Sequence, residues 1–136
     1  MKSFIIADLE KTRNYTTAVA EAMPEESWSF KPSEQVWNFA ELVHHIAYSL
    51  DWMESNYIRK EKAEWDPGPV PEGKKAVLSY LGEKFSSLEK AVQKKGDWEN
   101  EDVKSFYAII EHNAHHRGQA VTYLRITGIV PPEYPF

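Results

Sequence analysis

All five histidines of this chain occur in two short clusters. His44 and His45 are adjacent, and His112, His115 and His116 lie together near the end of the sequence. The chain contains no cysteine, which excludes disulfides, thiolate zinc sites and cysteine nucleophiles. Imidazole nitrogen is a good ligand for zinc, nickel and copper. If both clusters lie on inward faces of packed helices, they form one metal site made of imidazoles.

The second cluster has the spacing of a metal-binding helix. A helix advances about 100° per residue, so His112 and His116 lie one turn apart on one face, at the edge of the apolar stripe. The two histidines of a helical H-E-x-x-H motif share a zinc ion by the same geometry. His115 lies with Lys104 and Glu111 on the polar side and is the weakest candidate of the three.

The first cluster offers one inward histidine. His45 flanks the apolar side of its helix, whereas His44 groups with Asp51 and Ser55 on the side expected to be polar. Two histidines from one helix and one from another leave coordination positions open for water or substrate, as in catalytic zinc sites. The alternative to a metal ligand is a structural role, because a histidine at the edge of an apolar stripe is commonly a half-buried, hydrogen-bonded residue.

Four amphipathic stretches position these residues. They run from about Ser3 to Met23, from Asn38 to about Arg59, from the Pro71-Glu72-Gly73 segment to Lys94, and from just after Asn100 to Gly128. No alternating strand pattern or repeat occurs. Four helices of roughly 20 residues each predict an all-α, up-down four-helix bundle. At 136 residues, we expect one domain covering residues 1–136.

Capping residues and prolines mark the boundaries of these stretches. Asn38 and Glu41 predict a capping box, with Trp37 and Leu42 as a hydrophobic staple. The segments 24–36 and 65–71 contain prolines and are predicted to be loops, the first anchored by its aromatic rings. The tail 129–136 is predicted to be extended and to pack back on the body.

The charge of the chain limits its partners. The net charge is −5 and the sixteen basic residues are scattered among more acids, so nucleic-acid binding is not expected. No apolar run approaches a membrane span, and an acid appears too early for a signal peptide. We expect a cytoplasmic protein that does not associate with membranes.

Two segments resemble the motifs of a known family. The stretch from Ile110 to Ala120, followed by Tyr123-Leu124-Arg125 and by Gly128-Ile129-Val130-Pro131-Pro132, resembles the last-helix signature of the DinB-like (DinB/YfiT) family of four-helix metalloproteins. The segment Glu41-Leu42-Val43-His44-His45-Ile46-Ala47 resembles the second-helix motif of that family. The resemblance extends over most of the chain, although the first and third helices carry no motif.

The resemblance implies a function as well as a fold. The metal ligands of the family fall on His45, His112 and His116, the same three that helical spacing selects. The family contains thiol-dependent S-transferases, an isomerase and proposed hydrolases. It therefore implies a divalent ion, Zn²⁺ or Ni²⁺, a small-molecule substrate and a low-molecular-weight thiol as possible cosubstrate. The alternative is a non-catalytic metal-binding or dimeric interaction module, since homodimers are common in this family.

The sequence does not identify a catalytic acid or base. Tyr48 and Tyr123 are candidates only because their helices carry the histidines, and structural roles fit them equally well. Each ligating imidazole needs an acceptor for its other N–H group, and Glu41, Asn113 and Gln119 are the candidates for that role. The resemblance thus implies a metal-dependent transferase or hydrolase, and the residues assign no catalytic group to it.

Overall fold

The computed structural model describes residues 1–136 and contains helices but no strands. The four main helices are α1 (Lys2–Ala22), α2 (Phe39–Met53), α3 (Lys74–Lys94) and α4 (Asn100–Ile126). The all-α four-helix prediction is thus confirmed. The second helix was expected to reach about Arg59, but its α-helical part ends at Met53 and a π-helical turn, Glu54–Ile58, continues it. No helix has the length and apolarity needed to cross a membrane.

Each helix packs mainly against two others, in the order α1, α3, α2, α4 around the bundle. The start of α1 lies at the end of α3, where Lys2 Nζ donates to the carbonyl oxygens of Gln93 and Lys95. These two helices are therefore antiparallel. The end of α4 lies at the start of α2, where the Tyr123 hydroxyl donates to the carbonyl of Trp37. The α2 and α4 helices are antiparallel as well.

The middle pair of helices runs in one direction. His44 and Asp51 of α2 contact Tyr80 and Lys84 of α3 in the same order along both helices. The chain directions are consequently up, down, down and up. The predicted four-helix bundle is present, but the predicted up-down alternation of its helices is wrong, because α2 and α3 are parallel. The connection 59–73 must return along the length of the bundle to make α2 and α3 parallel, as long crossover connections do in other bundles. This connection passes beside the histidine cluster.

The core is one continuous cluster of 25 buried apolar residues drawn from every helix. Each helix contributes a stripe at intervals of three and four residues, which is the spacing that keeps side chains on one helical face. In α3 the stripe is Val77, Leu81, Phe85, Leu88 and Val92, all fully buried. These helices pack through apolar surface and need no metal to form a core.

Two helix starts show how the caps form. The Asn38 side chain accepts a hydrogen bond from the Glu41 backbone N–H at 2.8 Å, which is the Asn38 half of the predicted capping box. At α4 the cap is Glu99, one position before the predicted boundary, and its side chain forms a reciprocal box with Asp102. The sequence prediction missed this box because Glu is not a preferred N-cap residue.

Both predicted loops and the tail lack α-helix or strand and lie against the bundle. Trp28 is buried in the first loop, where its ring N–H donates to the Met23 carbonyl at 2.9 Å. The tail packs on α1 through Tyr134 and Phe136, whose rings meet Tyr15 edge-on at centroid distances of 5.7 and 6.0 Å. The predicted return of the tail is confirmed.

Candidate metal centre

Three histidines from two helices converge between α2 and α4. The ring centroids of His112 and His116 are 4.6 Å apart, one turn from each other on α4. His45 comes from the facing helix, and its Nε2 lies 3.1 Å from Nε2 of His116. One ligand nitrogen from each of the three lies within 4.8 Å of the others. The packing of α2 against α4 therefore creates the cluster.

This nitrogen geometry suits a small divalent ion. Zinc–imidazole bonds of about 2.0–2.1 Å at tetrahedral angles place neighbouring nitrogens about 3.3 Å apart. The His45–His116 separation of 3.1 Å is close to that value. All three residues are partly buried, and no carboxylate belongs to the group. The donor set is thus neutral nitrogen alone, which favours zinc or nickel over magnesium or calcium.

Burial keeps these imidazoles neutral. The pKa of His45 is lowered from 6.5 to about 4, first by burial and then by His116 and His112. Burial is also the main cause of the lowered pKa values of His112 and His116. A protonated imidazole offers no lone pair to a metal, whereas a neutral one does. The three rings are therefore in the ligand-competent form at neutral pH.

Gln119 sets the tautomer of one ring. The amide Oε1 of Gln119 lies 2.8 Å from Nδ1 of His116 and can only accept a hydrogen bond. Nδ1 of His116 is consequently the protonated nitrogen, and its Nε2 carries the lone pair that points at His45. A second ring nitrogen that donates to a fixed acceptor is the usual arrangement around metal-binding histidines.

Aromatic side chains surround the cluster. The Trp37 ring lies 4.5 Å from the His45 ring and 5.8 Å from the His116 ring, centroid to centroid. Trp65, from the connection 59–73, lies 5.7 Å from His45. The hydroxyl of Ser49 lies 3.4 Å from His45 Nε2. The sequence analysis assigned Trp37 to a hydrophobic staple and placed Trp65 in a predicted loop, and neither assignment brings the ring to the histidines. Their proximity depends on how the loops cross the helices.

Two clefts border the histidines, and Trp37 lines both of them. The larger has a volume of about 600 Å³ and lies beside His116. It is lined by uncharged side chains apart from the imidazole: Gln35, Val36, Trp37, Gln119, Thr122 and Tyr123. The smaller, of about 200 Å³, lies between Trp37 and Trp65 and is bordered by His44, His45 and Glu41. The cluster is therefore reachable from solvent by a small molecule.

The prediction for His44 was wrong in one respect. His44 was expected on a polar side of its helix, but it is only 5% exposed and its ring stacks on Tyr80 of α3 at 5.2 Å. The reason is that α2 packs against α3 on one side and α4 on another, so it has almost no polar face. His44 thus faces α3, while its neighbour His45 faces the other two histidines.

The other candidate residues, His115, Tyr48 and Tyr123, do not join the three histidines. His115 is exposed and lies outside the convergent group. The Tyr48 hydroxyl accepts a hydrogen bond from the Asp66 backbone N–H at 2.8 Å, and the Tyr123 hydroxyl donates to Trp37 at 2.7 Å. Both hydroxyls therefore fix loops to helices. Neither has a hydrogen bond to one of the three histidines.

Only one of the three proposed supporting residues contacts an imidazole. Gln119 does so through its Oε1, which lies 2.8 Å from Nδ1 of His116. Asn113 faces α1 instead, where its side-chain oxygen accepts from the Thr16 hydroxyl at 2.8 Å. The Glu41 side chain borders the smaller cleft without a hydrogen bond to a ring. Asn113 was mispredicted because it lies one residue from His112, and adjacent helical residues point in different directions.

The fold and this cluster define a class: an all-α four-helix bundle with an imidazole triad between its second and fourth helices. The chain belongs to the DinB superfamily, whose family model matches residues 8–120. It is similar to the crystal structure of a DinB-like protein, YjoA, from Bacillus subtilis, with a TM-score of 0.73 and 20% identity, covering 97% of this chain and 96% of that one. At that identity the likeness establishes the shared fold. No curated protein matches the chain.

Proposed function

We propose that this chain binds one divalent metal ion through His45, His112 and His116. The observation that carries the proposal is the convergence of three ligand nitrogens, from two helices, within 4.8 Å of one another. Bringing three partly buried imidazoles together costs stability if nothing binds them, because each loses hydration and any protonated ring repels the others. A metal ion offsets that cost by bonding all three.

The donor set favours Zn²⁺ or Ni²⁺. The convergent group holds three histidines and no fourth acidic or cysteine ligand. Structural zinc sites are closed by four protein ligands, whereas catalytic sites keep a position open. The cleft of about 600 Å³ reaches His116, so the open position would face a space large enough for a small-molecule substrate.

We further propose a metal-dependent transferase or hydrolase, of which thiol-dependent S-transfer is the leading form. The ion, when bound, supplies Lewis acidity that lowers the pKa of a coordinated water or thiol. The chain has no cysteine, so no protein thiolate competes with a low-molecular-weight thiol cosubstrate. Gln119 orients the His116 ring, and Trp37 limits water around His45. The uncharged lining of the larger cleft suits an uncharged electrophile.

A non-catalytic role is the second candidate. Exposed apolar side chains include Val36 and Trp37 beside the larger cleft and Trp65 beside the smaller one. Aromatic residues are enriched at protein interfaces, so a homodimer that covers this rim would close the site. The chain would then be a metal-binding interaction module. The two candidates differ in whether the metal keeps an exchangeable ligand.

The first experiment is elemental analysis of protein purified without an affinity tag after growth with zinc and nickel. We expect about one ion per chain, and none in the variant His45→Ala, His112→Ala, His116→Ala. The matched control is His115→Ala, which removes an exposed histidine of the same cluster and should retain the ion. A metal-free parent after reconstitution, or equal metal in the parent and the triple variant, would refute the metal site.

A second experiment separates the enzyme from the module. A small thiol such as 2-mercaptoethanol is added to the cobalt-loaded protein, and sulfur-to-cobalt charge-transfer absorption is recorded. An open site binds the thiolate and produces this band, whereas a site closed by a dimer partner does not. Sedimentation under the same conditions reports the oligomeric state. A silent spectrum from a metal-loaded dimer would favour the interaction module.

A further inference from the structure

Arg117 is the only cation among the buried residues of the chain. It follows His116 on α4, but its side chain faces α1 and is only 6% exposed. A buried guanidinium normally has a carboxylate partner, because removing an unpaired charge from water is costly. Arg117 takes part in none of the eight ion pairs of the protein.

The protein satisfies only part of this side chain. The guanidinium carbon lies 4.7 Å from the ring centroid of Tyr15 and 4.9 Å from that of Phe136. Stacking on two rings offsets part of the lost hydration. Of the five N–H groups of an arginine, however, only one has an acceptor in the protein, the Thr16 hydroxyl at 3.5 Å. The other N–H groups have no acceptor within the protein.

A cavity of about 430 Å³ lies against Arg117, between α4 and the tail. Small residues of α4 make room for it: the positions Ala114 and Gly118 border the cavity, and a Cβ added at Gly118 would meet no atom within 4 Å. Arg125, exposed, is a second cation on its wall, and Glu133 is the only acid there. Glu133 forms an ion pair with neither arginine.

This cavity is separate from the histidine site. It shares no lining residue with the clefts beside His116 and His45. Its walls combine two arginines with Tyr15, Tyr134, Pro131 and Pro132. A volume near 430 Å³ is in the range of small-molecule sites, which are mostly apolar with a few converging polar groups.

We propose that this cavity binds a small organic molecule through its carboxylate or phosphate group, with Arg117 as the principal anchor and Arg125 as the second. The guanidinium fork matches the two oxygens of such a group, and the pair of charge-assisted hydrogen bonds supplies the acceptors that the protein lacks. The tyrosine and proline walls hold the apolar body of the molecule. The extended tail forms one side of the site, so bound ligand holds it against α4.

The test uses the full chain labelled with ¹⁵N and titrated with three probes at constant ionic strength: inorganic phosphate, acetate and benzoate. We expect saturable shifts of the Ala114, Gly118 and Val121 amides, which border the cavity. Phosphate and acetate distinguish the two anion types, and tighter binding of benzoate than acetate reports the apolar walls. Absence of saturable shifts with all three probes, under conditions where sodium chloride is also silent, would overturn the proposal.

Variants establish which residues bind. Arg117→Lys keeps the charge but loses the fork, and Arg125→Gln alters an exposed residue with little risk to folding. Each should weaken the best probe by about tenfold or more, the size of a lost charge-assisted contact. The matched control is Lys104→Gln, which removes an exposed charge of the same helix outside the cavity and should not change affinity. Equal affinity in all three variants would refute a role for the arginines.

Discussion

The adjacent residues His116 and Arg117 lie on two faces of α4 that differ in their chemistry. His116 faces α2 and joins two other imidazoles whose lowered pKa values keep them neutral. Arg117 faces α1, where its permanently charged guanidinium lies over two rings, those of Tyr15 and Phe136, with no carboxylate partner. Because one helical step is about 100°, neighbouring residues can serve separate sites. The first face presents imidazole lone pairs, and the second presents guanidinium N–H donors.

The two faces also differ in what they contribute to folding. The face of α4 that carries the histidines borders the larger cleft and includes the exposed Gln119. The α1 face holds the buried contact between Thr16 and Asn113 beside Arg117. We infer that substitutions on the first face change metal affinity more than stability, and that those on the second change stability more than metal affinity. Substitutions on each face can break this division of roles between metal binding and stability.

The largest expected effect is on stability. Asn113→Ala leaves the buried Thr16 hydroxyl without its acceptor and should lower the free energy of unfolding by about 1–3 kcal/mol. Urea denaturation measures this, and metal content should not change. The double variant Thr16→Val, Asn113→Leu removes both polar groups and should be less destabilised than Asn113→Ala. Loss of metal from a folded Asn113→Ala protein would contradict the division.

A smaller effect is expected from Gln119→Ala. This change removes the acceptor that fixes the His116 tautomer and should weaken zinc binding by about tenfold, the lower end of such effects, because Gln119 is exposed. Competition with a chromogenic chelator measures the affinity. Thr122→Ala serves as the control, because Thr122 lines the same cleft but its hydroxyl donates to the Gly118 carbonyl and not to a histidine ring. Identical affinities of the two variants would argue against orientation by Gln119.

The metal-free protein should become less stable in mild acid. His45 titrates at about 4 in the fold, below its ordinary value of 6.5, so between these pKa values the unfolded chain binds more protons. Its contribution to stability is therefore complete above pH 6.5 and is lost as the pH falls towards 4. We expect a loss on the order of 1 kcal/mol from about pH 7 to about pH 5. His45→Gln should flatten the profile, whereas Arg117→Lys should leave its slope unchanged.

The smallest effect is expected from the tail. Tyr134→Ala removes an edge-on contact with Tyr15 and should cost about 0.5–1 kcal/mol, because Tyr134 is largely exposed. Thermal unfolding measures the loss. Metal affinity should stay constant, since Tyr134 packs on Tyr15 of α1 and not on the three histidines. Glu133→Ala is the control within the tail, and a larger loss there than in Tyr134→Ala would contradict ring packing as the cause.

Regular local patterns made much of the architecture predictable. The apolar stripe of α3 and the Asn38 cap depend on residues close together in sequence, and both occur in the structure as expected. The placement of His44 was not predictable in this way. Its exposure depends on α3 packing against α2, which no spacing within α2 reveals. The same holds for Asn113, whose partner Thr16 lies 97 residues earlier in the chain.

The sequence by itself determined that the chain forms four amphipathic helices and that any metal ligands are nitrogen or oxygen atoms rather than thiolates, because helical periodicity and residue chemistry are local properties. It also selected His45, His112 and His116 as residues able to converge. Only the tertiary structure decided that α2 and α3 run parallel, that Trp37 and Trp65 flank the histidines, and that Arg117 borders a cavity without a carboxylate partner. These features arise from contacts between distant segments, and such contacts are fixed when the helices and loops pack together.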